Sequence, residues 1–298
     1  METDSKLIVI LGPTASGKTG LSLKLAKKFH GEIISADSRQ IYKGMDIGSG
    51  KVTKKEMGKI PHYLLDVASP RQRFTVAQYQ KIALKAVRHI HQKGGLPILV
   101  GGTGFYIQSI ADGVVIPEVK PDWKLRQKLA KIPLPELVKQ LQMLDPARAG
   151  IIDQNNPRRV VRALELALKL GSPVPALQQR DMGFKNLILG IKKSPKELKI
   201  LIAKRLKIRL KNDAMIKEVK NLRKILSWKR LEEFGLEYRY VAQYLQNKIT
   251  KEEMIKIIKK ESEHYAKRQM TWFKRDQRIH WIKTQKQAEN LLKNFLKK

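Results

Sequence analysis

Short apolar runs, each closed by Gly, Ser or Asp, recur through the first third of the chain at residues 7–11, 32–35, 63–67 and 98–100. Between them, residues 18–29 and 76–92 place apolar side chains three and four apart, the period of a helix buried along one face. Strands alternating with helices predict a parallel sheet with helices on both faces. In such sheets ligands gather at the carboxyl ends of the strands. The second half has a different rhythm. Residues 122–142 and 157–170 have helical patterns, with breaks at Pro133, Pro146 and Asn155-Asn156-Pro157. Residues 186–192, NLILGIK, return to a strand pattern; 194–272 are almost wholly helical and basic; 280–283 predict a last strand before a terminal helix. The expected layout is an α/β core over 1–117, a helical insertion over 118–183, a core strand over 184–194, a basic helical region over 195–267 and a C-terminal core segment over 268–298.

The first strand runs into GPTASGKT, Gly12 to Thr19, which fits G-x-x-x-x-G-K-[ST]. This phosphate-binding loop sits where its physics requires, after a strand and opening a helix whose N-terminal N–H groups attract anions. It makes the expected fold a P-loop NTPase-like one, a parallel sheet flanked by helices with a helical insertion lobe. Lys18 supplies positive charge and Thr19 a hydroxyl for Mg²⁺. Phosphoryl transfer usually adds an Asp at the end of another strand. The strand PILVGGTG, 97–104, ends instead in glycines and Thr103. Asp66, near the end of another run, serves either as a substitute or as a turn residue. SADSRQIY carries Asp37, Ser38, Arg39 and Gln40 off the second strand, where Asp37 is either a cap or turn residue or a group at the active edge.

Composition narrows the partners. The chain has 298 residues, no cysteine and a net charge of +34, with 61 basic against 27 acidic residues. From Ile191 onward there are 31 basic and 12 acidic residues. Such a balance favours a polyanionic partner, nucleic acid before membrane, although a lysine-rich solvated face gives the same count. Absence of cysteine excludes disulfides and thiolate metal sites. The apolar run at 7–11 is too short for a signal-peptide core or a membrane span, so a cytoplasmic protein is expected.

GPTASGKT, ISADSRQIYKGMDIGSGK, GGTGFYIQS, NPRRVVRALEL, GLEYRY and RQMTWFKR, in that order over most of the chain, resemble the tRNA dimethylallyltransferases, also called tRNA isopentenyltransferases. The resemblance implies transfer of a dimethylallyl group from dimethylallyl diphosphate to N6 of the adenosine just 3′ of the anticodon. On this reading Gly12, Pro13, Thr14, Ala15, Ser16, Gly17, Lys18 and Thr19 hold the diphosphate leaving group. Asp37 is the general base, and Thr103 and Lys18 complete the catalytic set. Asp37, Ser38, Arg39, Gln40, Thr103, Arg126, Arg158, Arg159, Val160, Val161 and Arg162 are the expected tRNA contacts. Mg²⁺, through Thr19, is the expected cofactor. The expected partners are the anticodon stem-loop of tRNA and dimethylallyl diphosphate, with the chain acting as a monomer. No Cys/His cluster lies near the C-terminus, which matches bacterial-type members. The competing reading is a small-molecule or nucleotide kinase on the same fold, with Asp37 activating a hydroxyl. Trp272 and Phe273 interleave with basic residues in a pattern that suits either base stacking or a core, and His264 and His280 lack metal-ligand spacing.

Overall fold

A computed structural model describes residues 5–117, 119–176 and 178–297. The first part of the chain runs β1 (Lys6–Leu11), α1 (Lys18–Phe29), β2 (Gly31–Ala36), α2 (Lys54–Met57), β3 (His62–Tyr63), α3 (Val76–Gln92), β4 (Leu96–Gly101) and α4 (Gly104–Ala111). Next come α5 (Trp123–Leu129), α6 (Leu134–Leu144), α7 (Pro146–Ile151), α8 (Pro157–Leu170) and β5 (Lys185–Ile191). The chain continues through α9 (Pro195–Leu210), α10 (Ala214–Arg223), α11 (Trp228–Glu233), α12 (Leu236–Leu245), α13 (Lys251–Phe273), β6 (His280–Ile282) and α14 (Gln285–Lys297). Two compact units result. Val114–Arg180 forms one, and the segments on either side of it form the other.

All strand pairs are parallel, in the order β3-β2-β4-β1-β5-β6. The apolar runs are continuous because both faces of the sheet are covered. Leu7, Val9 and Leu11 pack with α3 and α4, whereas Ile8 and Ile10 pack with α1 and α14, and all five are buried. A separate core joins residues of α9 to α13 with Ile41, Tyr42 and Met45. Helix starts follow capping chemistry: Thr75 with Gln78, Ser194 with Glu197 and Thr250 with Glu253 each form a reciprocal capping box.

The strand expected at 63–67 shrinks to His62–Tyr63. Leu64 and Asp66 take φ values of 65° and 57°, left-handed conformations that cannot extend a strand. The helical pattern at 122–142 is divided between α5 and α6, with Pro133 at the N-cap of the second. Phe273 is 3% exposed, so it serves the core, and Trp272 packs partly buried beside it. No helix among the described residues is long and apolar enough to cross a membrane.

Candidate active site

Three neighbouring strands, β1, β2 and β4, end at one edge, and each delivers a different group. The loop after β1 leads into α1, which has no side-chain cap and no acidic residue in its first turn. Its N-terminal N–H groups therefore remain for an anion. Gly17 takes φ 93° at the N-cap, a conformation few side chains tolerate. Ala15 stands at φ 63°, which costs a non-glycine residue about 1 kcal/mol. Backbone strain of this kind collects at ligand sites. The Ser16 hydroxyl is buried with no hydrogen-bond partner.

Lys18 folds back over the loop, its ammonium donating to the carbonyls of Gly12 at 3.0 Å and Pro13 at 2.8 Å. Burial is the main cause that lowers its pKa to about 8; nearby Arg205 adds to this, and Asp37 opposes it. The loop thus holds its cation against its own carbonyls. Thr19 is exposed beside it.

At the end of β2, Asp37 Oδ1 accepts the N–H of Arg39 at 2.8 Å and that of Gln40 at 3.4 Å. This is an Asx turn, so the capping alternative holds for that oxygen. The other carboxylate oxygen accepts no hydrogen bond from the described residues. At the end of β4, the Thr103 N–H donates to Ala36 O at 3.2 Å, and its Oγ1 accepts from the Ser38 N–H at 3.0 Å. The hydroxyl proton of Thr103 stays available to a ligand. Arg39 donates through Nε to Phe234 O at 2.7 Å and lies over that ring. Gln40 bridges Ser35 Oγ and Gly50 O. Asp66 pairs with Lys51 at 2.6 Å, beside Asp46, so its carboxylate serves a turn.

Two side chains of this edge escaped the sequence reading. Arg205, on α9, has its pKa lowered to about 10, first by burial and then by Arg209, while Glu237 and Asp37 act the other way. Nothing singled it out among the several lysines and arginines of this helix. Gln269, on α13, accepts from Thr14 N–H at 2.7 Å and donates to Gly102 O at 2.8 Å. It stood inside RQMTWFKR, where the aromatic and basic residues drew attention. Behind the edge, Tyr79 and Tyr106 stack with ring centres 3.8 Å apart, and the Tyr79 hydroxyl donates to Ser35 O. Burial holds both phenols well above their ordinary pKa.

The unit formed by Val114–Arg180 carries the remaining predicted contacts. Arg158 and Arg159 are exposed at the start of α8, where the Asn156 side chain caps the Arg159 N–H. Val160 and Val161 are 0% and 7% exposed, packed in this unit's core, so their side chains are not at the surface where the expected tRNA contact would need them. Arg126 and Arg162 both bind the buried carboxylate of Glu165, Arg126 at 2.7 Å. Burial would raise that carboxyl's pKa, but the bonds from Arg126 and Arg162 outweigh it and hold it low. Arg126 also lies 4.6 Å over the Trp123 ring. Among the described residues no group of three His, Cys, Asp or Glu converges on a metal position. His264 faces Glu261 and His280 is exposed.

The IPP transferase family model matches residues 40–276. A tRNA dimethylallyltransferase of Halothermothrix orenii is 41% identical over 288 residues, covering 94% of this chain and 88% of that one. One from Syntrophomonas wolfei is 40% identical, covering 93% and 91%. Among solved structures, the full-length tRNA isopentenylpyrophosphate transferase of Bacillus halodurans superposes with a TM-score of 0.74 at 33% identity, covering 98% of this chain and 97% of that one. A eukaryotic dimethylallyltransferase acting on tRNA gives a TM-score of 0.73 at 28% identity, with 90% and 69% covered.

Proposed function

This chain belongs to the IPP transferase family, and we propose a division of labour among its residues for the prenyl transfer that the family performs on tRNA. The dimethylallyl group passes from dimethylallyl diphosphate to N6 of the adenosine 3′-adjacent to the anticodon. The kinase reading is not favoured, since the relatives are tRNA dimethylallyltransferases and the β4 exit carries Thr103 in place of an acidic group.

The observation that supports the assignment best is the meeting of an uncapped, cation-bearing loop with a carboxylate that keeps one oxygen unengaged. The diphosphate lies on the Gly12–Thr19 loop. Lys18 leaves the Gly12 and Pro13 carbonyls to neutralise it, and Arg205 adds charge from α9. Adenine N6 attacks C1 of the dimethylallyl group as the C1–O bond breaks, and the electron pair leaves with the diphosphate. The N6 proton passes to Asp37, a necessary step because the N6 lone pair is delocalised into the ring. Thr103 donates its hydroxyl proton to a diphosphate oxygen, stabilising charge as it develops. The adenine must leave its stack to reach C1.

Mg²⁺ fits the donor set: it binds through few protein oxygens plus phosphates and water, and the exposed Thr19 hydroxyl beside the loop suits that pattern. When bound it supplies further positive charge to the leaving group. Arg158 and Arg159 grip tRNA phosphates, with Arg126 and Arg162 presented by Glu165. We assign the chain to the cytoplasm as a monomer, the setting of its tRNA substrate. The test is incubation with dimethylallyl diphosphate and unmodified tRNA, followed by nucleoside analysis. A prenylated adenosine is expected. ATP consumption without a prenyl donor would instead restore the kinase reading.

A further inference from the structure

We propose that Gln269 is a positioning residue for the transfer, its amide fixing the phosphate loop at a set distance from the β4 exit. The inference rests on the reading that this loop holds the donor's diphosphate.

β1 and β4 pair in register as far as Leu11 opposite Gly101. Beyond that rung they part, one into the phosphate loop and the other toward Thr103. The Thr14 N–H and the Gly102 carbonyl are then left without a strand partner, and a buried backbone group without one is costly. The Gln269 side chain, 7% exposed, supplies both partners at once through its 2.7 Å and 2.8 Å bonds. A primary amide carries one acceptor and one donor group, as a peptide does. Gln269 is in effect an extra rung inserted where the ladder ends, delivered from α13 more than 160 residues away in sequence. The fit is close on the other side too. A Cβ at Gly102 would lie 2.3 Å from Gln269 Nε2, so position 102 admits the amide only as glycine.

The consequence is geometric. Without the rung, the loop that carries the diphosphate and the turn that carries Thr103 relax independently, and a displacement on the order of 1 Å costs about 10²-fold in rate. Gln269→Met keeps length and volume but removes both bonds. Gln269→Glu keeps an acceptor for Thr14 and sets an anionic oxygen against the Gly102 carbonyl. Once protonated, that carboxyl is again a donor and an acceptor.

The experiment measures donor kcat/KM, tRNA Kd and amide exchange at Thr14 in both variants and in wild type. Gln269→Met should lose about 10²-fold in donor kcat/KM, with tRNA Kd unchanged and the Thr14 amide losing protection. The activity of Gln269→Glu relative to wild type should rise as pH falls from about 8 to about 6, because burial favours the protonated carboxyl. A role confined to packing would leave Gln269→Met, which fills the same space, near wild-type donor kcat/KM. Wild-type donor kinetics in Gln269→Met, or a flat ratio in Gln269→Glu, would overturn the proposal. If Gln269→Met does not fold, the ratio alone decides. Failure of wild type to turn over the donor would instead overturn the assignment of the loop, and the Thr14 exchange measurement separates the two cases.

Discussion

Donor affinity should fall as pH rises above about 8, and Lys18 sets the size of the effect. Its ammonium is held by burial at a pKa of about 8, against the ordinary 10.5. A bound diphosphate restores the charge that burial disfavours, so the complex keeps the proton to a pH nearer the ordinary value. Full restoration would be worth about 3 kcal/mol, at about 1.4 kcal/mol per pKa unit. Between these two values the complex holds a proton that the free enzyme has lost, so raising pH drives dissociation. The slope should approach about tenfold in Kd per pH unit, with little change below about pH 7. The ligand's own charge is constant there, because a phosphate's second ionisation lies near about 6. Calorimetric titration of dimethylallyl diphosphate in two buffers of different ionisation heat reads the proton directly. Uptake should be near zero at about pH 7, about one half at about pH 8 and close to one at about pH 9. Lys18→Arg, always charged, should flatten the profile. A wild-type Kd constant to within about twofold from about pH 7 to about 9.5 would refute the reasoning, since no proton would then be linked to binding.

Asp37→Asn should lower the single-turnover rate by about 10²–10⁴-fold, with donor and tRNA binding retained, since Asn can still accept the Arg39 and Gln40 N–H groups; lost tRNA affinity with normal chemistry would make Asp37 an RNA contact only. Replacing Arg158 and Arg159 by Ala should flatten the salt dependence of tRNA binding by about two units, about one per phosphate contact. Adding Arg162→Ala should flatten it by less than one further unit, because that arginine is already engaged by Glu165; equal steps for all three would contradict this. Glu165→Ala leaves two arginines facing an empty buried position. Both arginine side chains are partly exposed, which reduces the usual cost of breaking a buried pair to about 2 kcal/mol, readable as a lower urea midpoint.

Elements ruled by local pattern could be read directly from the sequence. The helices expected at 18–29, 76–92 and 157–170 appear as Lys18–Phe29, Val76–Gln92 and Pro157–Leu170. Their periodicity runs the whole length; a cap or Pro marks the starts of the second and third, and the phosphate loop marks the start of the first. β3 was overextended because Leu64 and Val67 look apolar, while the positive φ at Leu64 comes from the fold around it. Of the site, the phosphate loop and Asp37 follow from contiguous residues at strand ends. Arg205 and Gln269 do not. Each reaches the edge from a helix more than 160 residues beyond the loop, and only tertiary packing selects one arginine from a basic run or one glutamine from RQMTWFKR. The salt-bridged carboxylate of Glu165 was equally hidden, reading as one more residue of an amphipathic stripe.

The strand order also sets a timetable. β1 emerges first from the ribosome, yet it occupies the middle of the sheet, and its neighbour β5 is made only after Val114–Arg180 has been synthesised. At ordinary translation rates, the interval between the end of β4 and the end of β5 is roughly 5–20 s. Pairing of β3, β2, β4 and β1 during that interval, four of the six strands, would leave the apolar edge Leu7–Leu11 with no partner. An unpaired apolar edge is a template for another chain. The nascent protein is therefore most vulnerable to aggregation while its inserted helices are being made, and slow codons placed within that stretch should lower soluble yield more than the same codons placed after β5.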